Sequence, residues 1–119
     1  MSPKPELTDT DRLRHMRDAA NAALGFIQGR GRVDLDTDLM LQFALVRALE
    51  LIGEAADKLP DSTHSAHPSI PWSEIIGMRH RLIHGYFDVD LDIVWNVAIR
   101  KLPDLITWLD SLLSPPTGA

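Results

Sequence analysis

The stretch DTDLMLQFALVRALELIGEAADKL, residues 36–59, decides the fold class. Its apolar residues recur every three or four positions, which is the period of one face of an α-helix. The stripe consists of Leu41, Leu45, Leu49 or Ile52, Ala56 and Leu59, with Phe43 and Val46 widening it. Gly53 costs about 1 kcal/mol relative to alanine, which is tolerable where another helix backbone packs close. The stretch predicts a long amphipathic helix from about Asp36 to Leu59.

The segment before this helix predicts another one. Thr8 or Thr10 can cap its start, and Asp11 stands three residues after Thr8, as in a capping box. An apolar stripe runs to about residue 28 and consists of Leu13, Met16, Ala20, Ala23 and Ile27. Gly29 and Gly31 then end the helix, and Arg30 and Arg32 suit its C-terminal dipole.

The segment after residue 59 predicts a turn-rich connection and two more helices. Residues 60–71 carry the connection, and Pro71 suits the first turn of a helix that begins near Trp72. A long apolar stripe then runs from Leu91 to Leu112. Pro103 lies inside it and should kink or split this last helix, because proline cannot donate a backbone hydrogen bond.

These patterns predict an all-α fold, a four- to five-helix up-down bundle, in one domain over residues 1–119 with loose termini at 1–7 and 114–119. The chain has no cysteine, so no thiolate can bind a metal. Neither a signal peptide nor a membrane span is apparent, which predicts a cytoplasmic protein. The net charge of −5 argues against broad, non-specific binding of nucleic acid.

Against this acidic background, MRHRLIHGYF, residues 78–87, collects Arg79, His80, Arg81, His84 and the only tyrosine, Tyr86. On an ideal helix Arg79 and His84 point about 140° apart, so one helix alone would not aim both at the same atom. The cluster therefore requires a bent helix end or a second chain, unless it is merely a solvated helix terminus.

Two site chemistries compete for this cluster. His80 and His84 share a helix face and can bind zinc with His64 or His67, although the two arginines would place positive charge beside the ion. A phosphate site fits the residue types better, because the arginine fork matches phosphate oxygens. A histidine beside arginines is kept neutral and able to act as a base. Metal-free cleavage of RNA needs these two groups.

The stretch HPSIPWSEIIGMRHRLIHGYFDVDLDIVWN, residues 67–96, resembles the HepT-like branch of the HEPN ribonuclease superfamily. The resemblance covers the signature R-x-x-x-x-H-x-Y, the preceding IPW and IIGMR, and the following D-x-D-x-x-x-x-W. Residues 44–60 resemble the second helix of that family. The position after the signature arginine is often asparagine in this branch and is His80 in this chain.

The resemblance implies a homodimer in which the motifs of two subunits line one cleft. It further implies a metal-independent endoribonuclease toxin of a type II-like or type VII-like toxin–antitoxin pair, without a cofactor. Its antitoxin would be a minimal nucleotidyltransferase, which in some members transfers AMP to the motif tyrosine.

Carried onto this chain, the resemblance predicts Arg79 and His84 as catalytic residues, His80 and Arg81 as supporting residues, and Tyr86 as the site of AMPylation. Arg79 would hold the scissile phosphate of the RNA substrate, and His84 would act as general base. The alternative is a non-catalytic module of the same fold that binds a nucleotide or the nucleotidyltransferase.

Overall fold

The computed structural model describes residues 6–82 and 88–114, apart from the side chain of Arg79. Eight α-helices occur in this part of the chain: α1 (Asp9–Ile27), α2 (Asp34–Thr37), α3 (Leu39–Lys58), α4 (Asp61–Ala66), α5 (Trp72–Ile76), α6 (Met78–Leu82), α7 (Leu91–Asn96) and α8 (Leu102–Leu113). No strand occurs within these ranges. The predicted all-α helical bundle is confirmed.

Helices α1 and α3 form the centre of the bundle, and α8 packs on α1. The hydroxyl of Thr63, five residues past α3, donates to the Asp9 carboxylate at the start of α1 at 2.9 Å. The end of α3 therefore lies beside the start of α1, and the two helices are antiparallel. Their facing residues, among them Met16, Leu45 and Ile52, are fully buried. This pair supplies a large part of the buried apolar residues on which the fold depends.

Both long helices begin at residues whose side chains accept hydrogen bonds from the first turn. Thr8 and Asp11 form a reciprocal capping box at α1, with the Asp11 amide 3.1 Å from the Thr8 hydroxyl and the Thr8 amide 2.9 Å from the Asp11 carboxylate. The Asp38 carboxylate accepts from the Leu41 amide at 3.0 Å and so caps α3. These backbone hydrogen bonds, from Thr8 and from Leu41, lower the pKa of Asp11 and of Asp38.

Gly53 marks the closest approach between α3 and the helices that carry the motif. A Cβ atom at this position would lie 3.1 Å from the backbone carbonyl oxygen of Ile75 in α5. The glycine thus removes the side chain that would separate α3 from α5. This is the close backbone contact that its place inside a helix predicts.

The predicted interruption near Pro103 takes the form of a π-helical turn, Val97–Lys101, between α7 and α8. Pro103 occupies the first turn of α8. A proline there cannot bond to the carbonyl of Ile99, so the regular α-helical ladder cannot run through this point. The turn allows α7 and α8 to continue as separate pieces of the long predicted helix.

Three sequence predictions about local structure are wrong in detail. The connection over residues 60–71 contains α4, whose residues have no buried side chain. The predicted third helix is divided at Gly77 into α5 and α6. Phe43 does not widen the apolar face of α3, because its side chain is 66% exposed, whereas Val46 packs against the core.

Candidate active site

Helix α6 contains the start of the predicted motif. Met78 is 5% exposed and Leu82 is fully buried, and both lie on the same helix face, four positions apart. They fix α6 on the core, so His80 and Arg81, which are exposed, face away from it. The backbone of Arg79 belongs to α6, while its side chain lies outside the described part of the structure.

Arg81 belongs to an ionic cluster that joins three elements. Its Nη1 atom donates to Oε1 of Glu74 in α5 at 3.3 Å, and Nζ of Lys101 in the π-helical turn lies 3.8 Å from the same oxygen. All three side chains are about half exposed, and such pairs contribute at most about 1 kcal/mol to stability. The cluster therefore positions two cations beside the motif rather than stabilising the fold.

His84 and Tyr86 lie in residues 83–87, outside the described residues, but both flanks of this segment are fixed. The Asp90 amide donates to the carbonyl oxygen of Leu82 at 2.8 Å. The Asp90 carboxylate in turn accepts from the Ile93 amide at 3.1 Å and caps α7. The two ends of the motif segment are thus joined directly, at the end of α6 and the start of α7.

Comparison with known proteins identifies the family to which this scaffold belongs. The model of the family described as ribonuclease HepT-like matches residues 16–112, which include α6, α7 and both flanks of the motif segment. The chain belongs to the ribonuclease HepT-like family. The resemblance drawn from the motif residues is confirmed.

Individual relatives of this HepT-like protein match over most of its length. A provisionally named RNase of Methanocaldococcus jannaschii is 37% identical over 108 residues, which cover 91% of this chain and 86% of the relative. Another, from Caldanaerobacter subterraneus, is 38% identical over 78% of this chain and 83% of its own. A probable ribonuclease HepT of Thermococcus cleftensis is 44% identical over 60% of this chain and 66% of its own. No solved structure matches the chain.

The side chain of His64 in α4 and the backbone of His67 make contacts within the fold. The Nε2 atom of His64 donates to the carbonyl oxygen of Ala56 at 2.9 Å, and its ring packs on Trp72 with the ring centroids 4.8 Å apart. The backbone carbonyl of His67 accepts from the Trp72 indole at 3.0 Å. Within residues 6–82 and 88–114, no group of three or more metal-ligating side chains is placed to hold an ion. The contacts of His64 explain its position without a metal.

Arg32 ties the start of α7 to α2, a role that the sequence did not reveal. Its guanidinium donates to the Asp92 carboxylate at 2.8–2.9 Å and to the Asp36 carboxylate at 3.0 Å. These hydrogen bonds, to Asp36 first and then to Asp92, raise the pKa of Arg32. The sequence predicted that Arg32 interacts with the C-terminal dipole of α1. The dense acidic residues at 34–38 and 88–92 were a signal that an arginine pairs with them instead.

Arg47, Glu50 and Glu54 form an ion-paired face on α3. Nη1 of Arg47 lies 3.6 Å from the Glu50 carboxylate and 3.4 Å from that of Glu54.

In the part of the chain that the structure describes, no helix is both long and apolar enough to cross a membrane.

Proposed function

We propose that the chain is a metal-independent endoribonuclease, the toxin of a toxin–antitoxin pair. The observation that carries the proposal is the ribonuclease HepT-like family match across residues 16–112, with Arg79, His84 and Tyr86 at the motif positions. The fixed position of α6 and the joined flanks of segment 83–87 support it, because a catalytic constellation needs a rigid frame.

In the proposed reaction, His84 takes the proton of the RNA 2′-hydroxyl and the freed oxygen attacks the adjacent phosphorus. Arg79 donates hydrogen bonds to the phosphate oxygens and stabilises the negative charge that grows on them. The 5′-oxygen leaves and takes up a proton, which gives a 2′,3′-cyclic phosphate and a 5′-hydroxyl end. His80 and Arg81 support the site by binding neighbouring phosphates.

Cleavage by the purified protein in excess chelator tests this reaction. We expect cyclic-phosphate ends to form at an unchanged rate after chelation, because no step uses a metal. Cleavage that stops in chelator and returns with zinc would contradict the proposal. Complete absence of cleavage, with RNA or nucleotide binding retained, would instead favour the non-catalytic binding module. The net charge of −5 supports this alternative, because it predicts weak affinity for RNA.

The proposal includes a homodimer, because Arg79 and His84 would point about 140° apart on an ideal helix, whereas two copies can bring them together across a two-fold axis. An exposed apolar surface on α3 supports it. Leu39, Met40 and Phe43 are 58%, 77% and 66% exposed and adjoin one another on the helix. Arg47 and Glu50 continue this face with opposite charges, which suits contact with an identical copy.

A charge placed on this surface tests the dimer. We expect Phe43→Glu to dissociate it and to abolish cleavage, because the dimer would then have to bury a carboxylate within an apolar contact. Phe26→Glu is the matched control, since Phe26 is 40% exposed and lies on α1. Light scattering at micromolar concentration measures both, and a wild-type monomer with full activity would refute the composite site.

The proposed antitoxin is a minimal nucleotidyltransferase that attaches AMP to the Tyr86 hydroxyl. An AMP phosphate there would compete with RNA for Arg79 and repel incoming phosphates. We expect Tyr86→Phe to fold, to cleave RNA and to escape neutralisation by the partner. Mass spectrometry of the co-expressed pair should map added AMP to Tyr86, and an unmodified Tyr86 in a neutralised pair would mean that the antitoxin blocks the site sterically.

A further inference from the structure

A cavity of about 100 Å³ lies beside α6, between α5 and the start of α8. Its walls are apolar and come from four elements. They include Ile75, Met78, Val97, Leu102 and Trp108. Drug-sized ligands occupy cavities of about 300–1,000 Å³, and benzene occupies one of about 150 Å³. The cavity is smaller than the benzene site, so it can take only the edge of one flat ring, and it is too small for a cofactor.

The mouth of this cavity is charged. Glu74, Arg81, Lys101 and Asp104 line it. Arg81 and Lys101 share one carboxylate oxygen, at 3.3 and 3.8 Å, so Glu74 offsets only one of these two positive charges. Among the described residues Arg81 engages Glu74 through Nη1, which leaves other donors of its fork for an anion. Asp104 supplies a carboxylate, which accepts hydrogen bonds from amino groups.

A nucleotide combines the features that this site can recognise. Its base has a flat apolar face for the walls, its phosphate suits Arg81 and Lys101, and an exocyclic amino group suits Asp104. An apolar side chain of a protein partner would fill the same volume but would use none of the four charged groups. The charges therefore favour a nucleotide.

The position of the cavity connects it with the proposed reaction. Met78 and Arg81 contribute to it from α6, and these two residues stand on either side of Arg79 and His80 in the chain. Arg81 at the cavity mouth and the backbone of Arg79 therefore belong to the same helix, and a helix is about 10–12 Å wide. When a phosphate of RNA lies at the motif, a neighbouring nucleotide of the same strand can reach the cavity.

We propose that this cavity binds one base of single-stranded RNA beside the cleaved bond, with Asp104 selecting bases that carry an exocyclic amino group. The proposal rests on the proposed ribonuclease function for the identity of the ligand. Cytosine, adenine and guanine carry such a group, whereas uracil presents a carbonyl oxygen in its place. A uracil carbonyl beside the Asp104 carboxylate would place two hydrogen-bond acceptors together, so uracil should be disfavoured.

Binding of oligonucleotides that cannot be cleaved separates this proposal from the cleavage reaction. The full-length protein is titrated with 2′-O-methyl oligocytidine and with 2′-O-methyl oligouridine, and fluorescence anisotropy gives the two dissociation constants. We expect oligocytidine to bind about 10- to 100-fold more tightly, as a hydrogen bond to a charged acceptor implies. Asp104→Asn should remove the difference, because an amide can donate to the uracil oxygen.

Two controls match these variants. Asp57→Asn changes the same charge at an exposed position on α3 and should keep the preference for cytosine. Lys101→Ala should weaken the binding of both oligonucleotides and reduce its salt dependence by about one phosphate contact. Lys58→Ala is the control for this variant and should change neither quantity.

Equal binding of the two oligonucleotides by the wild type would overturn the proposal, as would a preference that survives Asp104→Asn. It would also be overturned if Asp104→Asn and Lys101→Ala weakened binding of the nucleotidyltransferase and left RNA binding unchanged. A wild type that binds oligocytidine selectively and cuts no RNA would refute the ribonuclease and leave the base site standing.

Discussion

The helices that build the core and the helices that carry the motif differ in length and in what holds them. Helices α1 and α3 have 19 and 20 residues and capped starts, whereas α5 and α6 have five residues each. Helices this short are not stable alone, because isolated helices below about 12 residues are marginal in water. The motif helix therefore owes its position to packing on its neighbours, among them α3, and its Met78 and Leu82 are buried.

The two groups of helices therefore have different roles, since the long ones supply stability and the short ones carry residues proposed to act on RNA. The long helices bury apolar side chains and carry none of the residues proposed to act directly on RNA. The short helices expose His80 and Arg81 and place them beside a charged cavity mouth. Changes in the buried core should accordingly lower the free energy of unfolding, whereas changes in the motif should lower the rate of cleavage.

The largest expected effect concerns the motif. We expect Arg79→Ala and His84→Ala each to lower the rate of RNA cleavage by about 10²–10⁴-fold, as loss of an acid–base or charge-stabilising group does. The free energy of unfolding should change little, because arginine and histidine seldom belong to an apolar core. Urea unfolding and single-turnover cleavage measure the two quantities. Variants that cleave at the wild-type rate would show that the catalytic assignment is wrong.

A change in the core should lower the free energy of unfolding. Leu45 is fully buried in α3, so Leu45→Ala should lower the free energy of unfolding by about 2–5 kcal/mol. Leu51→Ala on the same helix is the control, since Leu51 is 40% exposed and its truncation leaves no closed cavity. Equal destabilisation of the two variants in urea would contradict the described core.

Gly53 lies where the two regions meet. Alanine usually stabilises a helix by about 0.5–1 kcal/mol relative to glycine. Here the new Cβ would stand 3.1 Å from the Ile75 carbonyl oxygen, and overpacking typically costs about 1–3 kcal/mol. We expect Gly53→Ala to destabilise the protein and to lower cleavage by shifting α5 and α6.

Gly25→Ala provides the matched control for this close approach. Nothing lies within 4 Å of a Cβ atom built at Gly25 in α1, so this variant should gain stability. Both effects are measurable as shifts in the urea midpoint. A stabilised Gly53→Ala would mean that α5 does not approach α3 so closely.

The smallest expected effect concerns pH. The folded state lowers the pKa values of Asp11 and Asp38 below the ordinary value of 3.8. Each carboxylate therefore contributes stability that is fully present above about pH 4 and is lost as the pH falls through the lowered folded pKa. Urea midpoints measured between pH 5 and pH 2 should fall less in Asp38→Asn than in the wild type, because asparagine still caps α3 but does not titrate. An identical decline in both proteins would show that this cap contributes nothing to the acid sensitivity.

The sequence by itself determined the parts of the fold that depend on neighbours along the chain. The stripe from Leu13 to Ala23 and that from Leu41 to Ala56 give helices whose buried residues agree with the periodicity. The pair Thr8 and Asp11 gave the start of α1, and Pro103 gave the break in the last helix. The motif residues were enough to recognise the family, because the spacing of Arg79, His84 and Tyr86 can be read directly from the sequence.

Tertiary structure decided what depends on residues far apart in the chain. Phe43 could pack inward or face solvent on the same helix, and the arrangement of the neighbouring helices left it exposed. Arg32 found its partner in Asp92, sixty residues away, and Arg81 and Lys101 met at Glu74. Helical periodicity reports which side chains share a face. It carries no information on which faces meet, since that choice is made by packing and charge across the whole bundle.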